Sequence, residues 1–230
     1  MGNPQVIVIG VLGALEVRRD GTPLIIPGAK PREILTLLGL NAGRVVPADV
    51  IQDVLWGDEP PRTAHKALQT HISALRRALG VAALVTEGPG WRLGTGTTTD
   101  AAAFESAVSA ARRAVDGGRP AAAIDPYELG VELWRGAPQL PPTPRGTGEA
   151  ARWVELYEAV LDERTDALLA SGHNSDLIGE LEAAVTRMAA RPFLERSLRV
   201  LESRGRNGDD DLAAAARAHA AAAAIEDHAS

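Results

Sequence analysis

Basic and hydrogen-bonding side chains repeat at helical spacing in the segment RTAHKALQTHISALRRALG, which covers residues 62–80. The row consists of Arg62, Lys66, Gln69, Ser73 and Arg76, with Thr70 and Arg77 beside it. Steps of three and four residues place these side chains on one face of an α-helix, and no acidic residue interrupts that face. Such a face can hold phosphates and address base edges, because an α-helix about 10 to 12 Å across fits the major groove of B-DNA.

The opposite side of the same segment is apolar. Its stripe consists of Ala64, Leu68, Ile72, Leu75 and Leu79. This spacing predicts an amphipathic helix that packs on a core. His71 lies at the edge of the stripe, so burial and contact with a phosphate both remain open for it. Thr63 precedes the helix, where a hydroxyl can either cap the helix or meet the DNA backbone.

The neighbouring chain supplies elements that would hold this helix in place. Two predicted helices precede it, PREILTLLGLNAG, in which Pro31 suits the first turn, and ADVIQDVLWG. The second of them is predicted to bury Val50, Ile51, Val54 and Leu55. The segment LVTEGPGWRLG follows and predicts a hairpin with a tight turn. A basic amphipathic helix alone is also typical of a solvated surface, but three helices closed by a hairpin favour a winged helix-turn-helix.

Charge is distributed unevenly over the 230 residues, whose formal net charge is -6. Residues 1–96 contain ten Lys and Arg against eight Asp and Glu, whereas residues 97–230 contain fourteen against twenty-two. The acidity therefore belongs to the C-terminal half, and it does not exclude a basic surface in the N-terminal half. The chain has no cysteine, which excludes disulfide and thiolate chemistry.

Nothing in the sequence indicates a membrane protein. The apolar run VIVIGVLGAL lacks a preceding basic region and is interrupted by glycine, so it predicts a strand and not a signal peptide. No other apolar stretch approaches the length of a bilayer span. We therefore expect a cytoplasmic protein without membrane contact.

The two halves also differ in predicted structure. Short β-rich runs alternate with turns from Gln5 to Ile26, and RDGT is a strong hairpin signal. Residues 94–99, GTGTTT, are interpreted as a junction, and the chain after it is alanine-rich at helical spacing. We predict an α+β winged helix-turn-helix domain over residues 1–96 and an all-α domain of helix pairs over residues 97–230.

Within the helical half, Asp100 can cap a first helix. The predicted stripe of that helix is Phe104, Ala107, Val108, Ala111 and Val115. Pro126 interrupts the next helix and predicts a kink or a late start, and residues 136–149 predict a loop. Two further helices are marked by Trp153, Leu156, Val160, Leu161 and Leu168, and by Ile178, Leu181, Val185 and Met188.

The order of these motifs resembles a known family. VLGALEVRRDGTPL, GAKPREILTLLGLNAGRVVPADVIQDVLWGDEPP, ALQTHISALRRALG and LVTEGPGWRL resemble the OmpR-type winged-helix domain of the Streptomyces antibiotic regulatory protein (SARP) family. LWRG and the helices that follow are similar to the bacterial transcriptional activator domain, an all-helical, TPR-like module. The resemblance covers roughly residues 5 to 225. It implies a transcriptional activator, usually of a biosynthetic gene cluster.

The resemblance also implies partners and contact residues. Family members bind direct repeats of double-stranded DNA near a promoter as two adjacent protomers, and they recruit RNA polymerase through contacts that include the sigma factor. Such a protein is expected in the cytoplasm, at the nucleoid. Carried over by position, the DNA-binding residues are Arg62, Thr63, Lys66, Gln69, Thr70, Ser73, Arg76, Arg77 and Arg92. Arg76 and Arg77 are expected to hold phosphates or reach guanine, and Gln69 to pair with adenine.

The wing departs from the family pattern. Many such wings insert an arginine into the minor groove, whereas TEGPGW places Glu87 near that position, and Arg92 is the available substitute. A carboxylate there would face the phosphates, so we expect modest, salt-sensitive binding that depends on two protomers. This departure also motivates an alternative function, that of a protein-interaction adaptor with a weakened DNA-binding domain.

Enzyme chemistry finds little support in the sequence. The acidic residues at helical spacing in one segment, Glu155, Glu158, Asp162 and Asp166, have no partner group and predict a solvated face. The five histidines, His65, His71, His173, His219 and His228, do not follow metal-ligand spacing. We predict no catalytic residue, no metal and no cofactor.

Overall fold

The computed structural model describes residues 6–172. Its strands are β1 Ile7–Gly10, β2 Glu16–Arg19, β3 Thr22–Pro23, β4 Val46–Pro47, β5 Leu84–Glu87, β6 Gly90–Leu93 and β7 Thr97–Thr99. Its α-helices are α1 Ala29–Leu40, α2 Ala48–Trp56, α3 Ala64–Leu79, α4 Asp100–Asp116, α5 Ile124–Leu133 and α6 Pro144–Ala170. None of these helices combines the length and the apolar character that crossing a lipid bilayer requires. The predicted helix at residues 178–188, the chain after it and His173, His219 and His228 lie outside the described residues.

The N-terminal strands form a sheet in the order β3-β2-β1-β7. Asp20 and Gly21 join β2 to β3, and their φ angles of 48° and 80° are typical of the two-residue hairpin turn that RDGT predicts. The last strand, β7, pairs in parallel with β1 and places Thr99 opposite Ile9. The interpretation of residues 94–99 as a simple junction is therefore wrong, because residues 97–99 complete this sheet.

Three helices follow the hairpin and pack on one another. The predicted α3 stripe is confirmed, since Ala64, Leu68, Ile72, Leu75 and Leu79 are all buried. In α1, Ile34, Leu35 and Leu38 are fully buried, and Pro31 lies in the first turn as predicted. Three of the four side chains predicted to be buried in α2 are buried, while Val50 is half-buried. The helices thus fix the direction in which α3 presents its polar face.

The predicted hairpin after α3 is confirmed as β5 and β6. It belongs to a second sheet in the order β4-β6-β5, in which Val46 lies opposite Trp91. The strand β4 was not predicted from the sequence, because two residues that include a proline carry no period of their own. At Gly90 a Cβ atom would collide with the carbonyl of Val46, so glycine permits this strand pairing.

The helices of the C-terminal half follow the predicted order, with corrections. In the first turn of α4 the carboxylate of Asp100 accepts a hydrogen bond from the N–H of Ala101 at 2.8 Å, and the hydroxyl of Thr99 accepts one from the N–H of Ala102 at 3.0 Å. In the α4 stripe the first four predicted residues are buried, but Val115 is 42% exposed. The helix α5 begins at Ile124, so Pro126 lies in its first turn and does not interrupt it. The loop predicted up to residue 149 ends earlier, where α6 begins at Pro144.

The described chain falls into two compact units. The first contains residues 6–109 and Leu129–Tyr157, and the second contains Ala110–Glu128 together with residues 158–172. Phe104 packs against Trp134 and Trp153 in the first unit, with ring centroids 6.3 and 6.1 Å apart. In the second unit the hydroxyl of Tyr127 donates to Glu163 at 2.9 Å, and burial raises the pKa of this phenol. The architecture is a strand-rich winged helix-turn-helix followed by helices.

Candidate nucleic-acid interface

Most of the polar face of α3 is exposed. Lys66, Gln69, Thr70, Ser73 and Arg77 are all exposed, and the buried stripe supports them from behind. No ion pair within residues 6–172 engages Lys66 or Arg77. A cation that has no carboxylate partner retains its full charge for a phosphate.

The start of α3 carries two more of the predicted residues. Arg62 and Thr63 are exposed in the turn that precedes the helix. Thr63 occupies the N-cap position, but its hydroxyl forms no capping hydrogen bond, and its carbonyl accepts the N–H of Ala67 at 2.8 Å. The side chain of Thr63 therefore does not cap the helix, which leaves contact with the DNA backbone as the other role considered for it. Its hydroxyl lies at the positive end of the helix dipole, where anions bind.

The two hydroxyls in the middle of the face are already bonded to the helix. Thr70 donates to the carbonyl of Lys66 at 3.0 Å, and Ser73 donates to the carbonyl of Gln69 at 2.8 Å. Their oxygens keep lone pairs that face outward, so both side chains are oriented as acceptors. The amide of Gln69 offers a donor and an acceptor together, which is the combination that reads adenine.

Arg76 differs from the other predicted residues because it turns toward the hairpin. Its Nε donates to the carbonyl of Leu84 at 3.0 Å, and its Nη2 donates to the hydroxyl of Thr86 at 2.6 Å. Arg76 is half-buried, whereas its neighbour Arg77 is exposed. The structure therefore separates two arginines to which the sequence assigned one role.

In the wing, Arg92 and Glu87 form an ion pair. The Nε of Arg92 lies 2.6 Å from Oε2 of Glu87, and the two side chains are 28% and 54% exposed. The sequence suggested that Arg92 substitutes for the usual wing arginine and that Glu87 opposes DNA. The carboxylate of Glu87 therefore partly neutralises the charge of Arg92, the cation that would approach a groove.

His71 lies half-buried at the side of α3. Burial and the nearby charge of Lys30 lower the pKa of this imidazole, while Glu33 acts in the opposite direction. Both partners belong to α1, so His71 faces the helix packed against α3. Of the two roles left open, packing agrees better with this position than contact with a phosphate.

Comparisons with known proteins agree with this geometry. Residues 22–92 match the family described as "Transcriptional regulatory protein, C terminal", and residues 99–209 match the bacterial transcriptional activator domain. The regulatory protein DnrI of Streptomyces peucetius is 34% identical over 193 residues, which cover 78% of this chain and 71% of DnrI. The chain belongs to the SARP family of transcriptional activators. Its family and relatives are transcriptional regulators and not enzymes.

Longer relatives share the same core. The regulatory protein AfsR of Streptomyces coelicolor is 34% identical over 81% of this chain, which spans only 19% of AfsR. The structure of Mycobacterium tuberculosis EmbR in complex with a low affinity phosphopeptide superposes with a TM-score of 0.70. It is 26% identical and covers 94% of this chain and 64% of the EmbR chain. These likenesses support the fold of the SARP core.

Contacts distant in sequence bind the carboxyl ends of α2 and α3 in this SARP chain. Arg19, on β2, donates from Nη2 to the carbonyl of Ala78 in the last turn of α3. In the last turn of α2, the carbonyl of Leu55 accepts a hydrogen bond from Lys30 at 2.8 Å, and that of Val54 accepts one from Thr143 at 2.8 Å. Sequence reasoning missed these contacts, because the residues involved have no spacing relation to the helices that they bind. Cations at helix carboxyl ends are favourable in themselves, but that rule does not say which helix an arginine on a strand will reach.

Proposed function

We propose that this SARP activator binds duplex DNA through α3 and the wing, and that α3 enters the major groove. The observation that carries the proposal is the exposed polar face of a helix whose Lys66 and Arg77 have no ion-pair partner among the described residues. Such a helix, backed by a buried stripe and followed by a hairpin, has the arrangement of a recognition helix. The proposed site adds Arg62 and Thr63 at the helix start, Thr70 and Ser73 in the middle, and Arg76 and Arg92 toward the wing.

These residues divide into positioning and reading contacts. Lys66, Arg77 and Arg62 would neutralise phosphates, a contribution that does not depend on sequence. Gln69 would read a base, since its amide can form a bidentate pair with adenine. Discrimination of about 1 to 3 kcal/mol is typical of one such pair. Binding is therefore expected to be modest for one protomer and to gain from a second one.

We further propose how activation follows from binding. Two protomers occupy direct repeats near a promoter, and the helical domain contacts RNA polymerase, including its sigma factor. The acidic balance of residues 97–230 supports this division, because repulsion from phosphates keeps that half off the DNA. The proposed targets are promoters of a biosynthetic gene cluster, and the site of action is the cytoplasm, at the nucleoid. The proposal needs no cofactor.

The domain boundary is part of the same proposal. We place the DNA-binding domain at residues 1–96 and the activator domain at residues 97–230, on the change in composition between them. The first compact unit includes chain on both sides of this boundary. The DNA-binding and activating functions are thus assigned to the two halves by the charge and side chains of their surfaces. Folding of the first half is expected to involve residues beyond 96.

The experiment uses the full chain and a duplex selected from a random-sequence library by the wild-type protein. Lys66→Ala and Arg77→Ala are each expected to weaken binding in fluorescence anisotropy. Each should also reduce the slope of log K against log salt by about 0.9, because one phosphate contact is lost. Arg119→Ala is the matched control, since it removes an exposed cation from the second unit. Circular dichroism checks that each variant is folded.

Two results would contradict the proposal. Unchanged affinity and salt slope in the Lys66 and Arg77 variants would remove α3 from the interface. Failure of the wild-type chain to select any duplex at low salt would favour the alternative function, a protein-interaction adaptor whose wing cation is held by Glu87.

A further inference from the structure

The side chain of Arg76 connects the end of α3 to the hairpin that follows it. One donor, Nε, meets the carbonyl of Leu84 at 3.0 Å, and another, Nη2, meets the hydroxyl of Thr86 at 2.6 Å. Both acceptors lie on β5, one at its buried first residue and one two residues further along. A guanidinium is planar and rigid, so two bonds from one group fix the direction of β5 relative to the helix.

The outer half of the hairpin is held by polar contacts that do not involve α3: the carbonyl of Pro89 accepts the N–H of Ala48 at 3.0 Å, Gly90 pairs with Pro47, and Arg92 forms an ion pair with Glu87. Leu84, Trp91 and Leu93 are buried and anchor its base in the core. From Thr86 to Pro89 every residue is exposed, and Gly88 turns the chain with a φ of 55°. The bond from Arg76 to Thr86 therefore acts where core packing has already ended.

We propose that Arg76 is a positioning residue that holds the wing at a fixed angle to α3, so that helix and wing meet DNA as one rigid element. The proposal rests on the proposed DNA-binding function. It assigns direct phosphate contact to Arg77, which is exposed, and removes that role from Arg76. Loss of the link leaves both surfaces intact but makes binding pay for ordering the wing, which lowers affinity.

A double-mutant cycle in the full chain tests this assignment. Arg76→Ala and Thr86→Val each break the link from one side, and valine keeps the β-branched shape of threonine. Thr86→Val removes one of the two bonds and is expected to weaken binding of the selected duplex roughly tenfold, the size typical of one charge-assisted hydrogen bond. Arg76→Ala removes both bonds and should bind at least as weakly. The double variant should be no weaker than Arg76→Ala alone, because the two side chains act through one contact.

Two conservative variants separate positioning from charge. Arg76→Lys keeps the positive charge but has a single ammonium that cannot reproduce two separate bonds, so it should bind as weakly as Arg76→Ala. Thr86→Ser keeps the hydroxyl acceptor and should bind like the wild-type chain. Hydrogen exchange of the free proteins should show faster exchange at β5 in Arg76→Ala and Thr86→Val than in the wild type.

The outcomes are distinct from failure of DNA binding itself. If Lys66→Ala weakens binding while Thr86→Val has no effect and Arg76→Lys retains full affinity, Arg76 is a phosphate contact and the positioning role is wrong. Additive losses in the cycle would overturn it in the same way. If Lys66→Ala has no effect either, the fault lies with the proposed function.

Discussion

Asp100 offers the sharpest test of what holds the first unit together. Its carboxylate accepts hydrogen bonds from the N–H of Val11 at 2.8 and 3.0 Å and from that of Leu12 at 3.1 Å. It also pairs with Nη2 of Arg135 at 3.0 Å, and its side chain is only 11% exposed. We predict that Asp100→Ala destabilises the protein more than any exposed acidic substitution.

The magnitude follows from the groups that lose their partner. Val11 and Leu12 are fully buried, so their N–H groups would find no water in place of the carboxylate. An unsatisfied buried donor costs about 1 to 3 kcal/mol, which gives about 2 to 6 kcal/mol for the two together. Arg135 is one-third exposed, so the loss of its ion pair adds little. Asp100→Asn keeps one acceptor oxygen and should cost about half as much.

Urea unfolding followed by circular dichroism measures both variants against the wild type. Asp58→Ala is the control, since it removes an exposed carboxylate from the loop before α3 and should change the free energy of unfolding by less than about 0.5 kcal/mol. If Asp100→Ala unfolds at the same urea concentration as Asp58→Ala, the carboxylate does not carry the energy that its hydrogen bonds imply. A loss for Asp100→Asn as large as that for alanine would contradict the argument from acceptors.

Three further predictions concern other parts of the molecule. Gly94→Ala should lower the free energy of unfolding by about 1 to 3 kcal/mol in urea, because its Cβ would collide with the carbonyl of Ala82, whereas Gly148→Ala, in open space on α6, should not. Because burial lowers the pKa of His71, the unfolded chain takes up a proton first as pH falls below 6.5, so stability should drop there. Melting curves at pH 7.5 and 5.5 should show a smaller drop in His71→Gln; an equal drop would exclude this histidine. Glu87→Gln should bind DNA about threefold more tightly with a steeper salt dependence in anisotropy titrations, since it releases the wing arginine; unchanged binding would mean that the ion pair does not restrain it.

The amphipathic helix α3 could be predicted from the sequence because its evidence is local. A buried stripe and an exposed face alternate within the 16 residues of α3, and every residue of the predicted stripe is buried. The wing hairpin was found for the same reason, since β5 and β6 are separated by two residues. In α3 the helical period alone predicted which side chains are buried, whereas the same reasoning was wrong for Val115 at the end of α4.

Contacts between distant segments could not be predicted in this way. The parallel pairing of β7 with β1 joins residues about ninety positions apart, and three threonines after a glycine carry no apolar period. The roles of Arg76 and Arg77 show the same limit on a smaller scale. Helical phase places both near the polar face, but only the position of β5 decides that Arg76 bends toward the hairpin. A long side chain bonds to the acceptors near it, and the tertiary structure determines which acceptors those are.

The contacts of Asp100 change how the two halves of this SARP chain should be regarded. The bacterial transcriptional activator domain is matched from residue 99, yet Asp100 satisfies the backbone of Val11 and Leu12, and Thr143 binds the last turn of α2. The start of the activator domain is thus part of the structure that supports the helices of the winged helix-turn-helix. Loss of the Thr143 bond would act on α2, which packs against α3, without touching the exposed face of α3. In this fold some of the residues that stabilise the helices around the proposed DNA-contacting surface therefore lie beyond residue 99, on the other side of the family boundary.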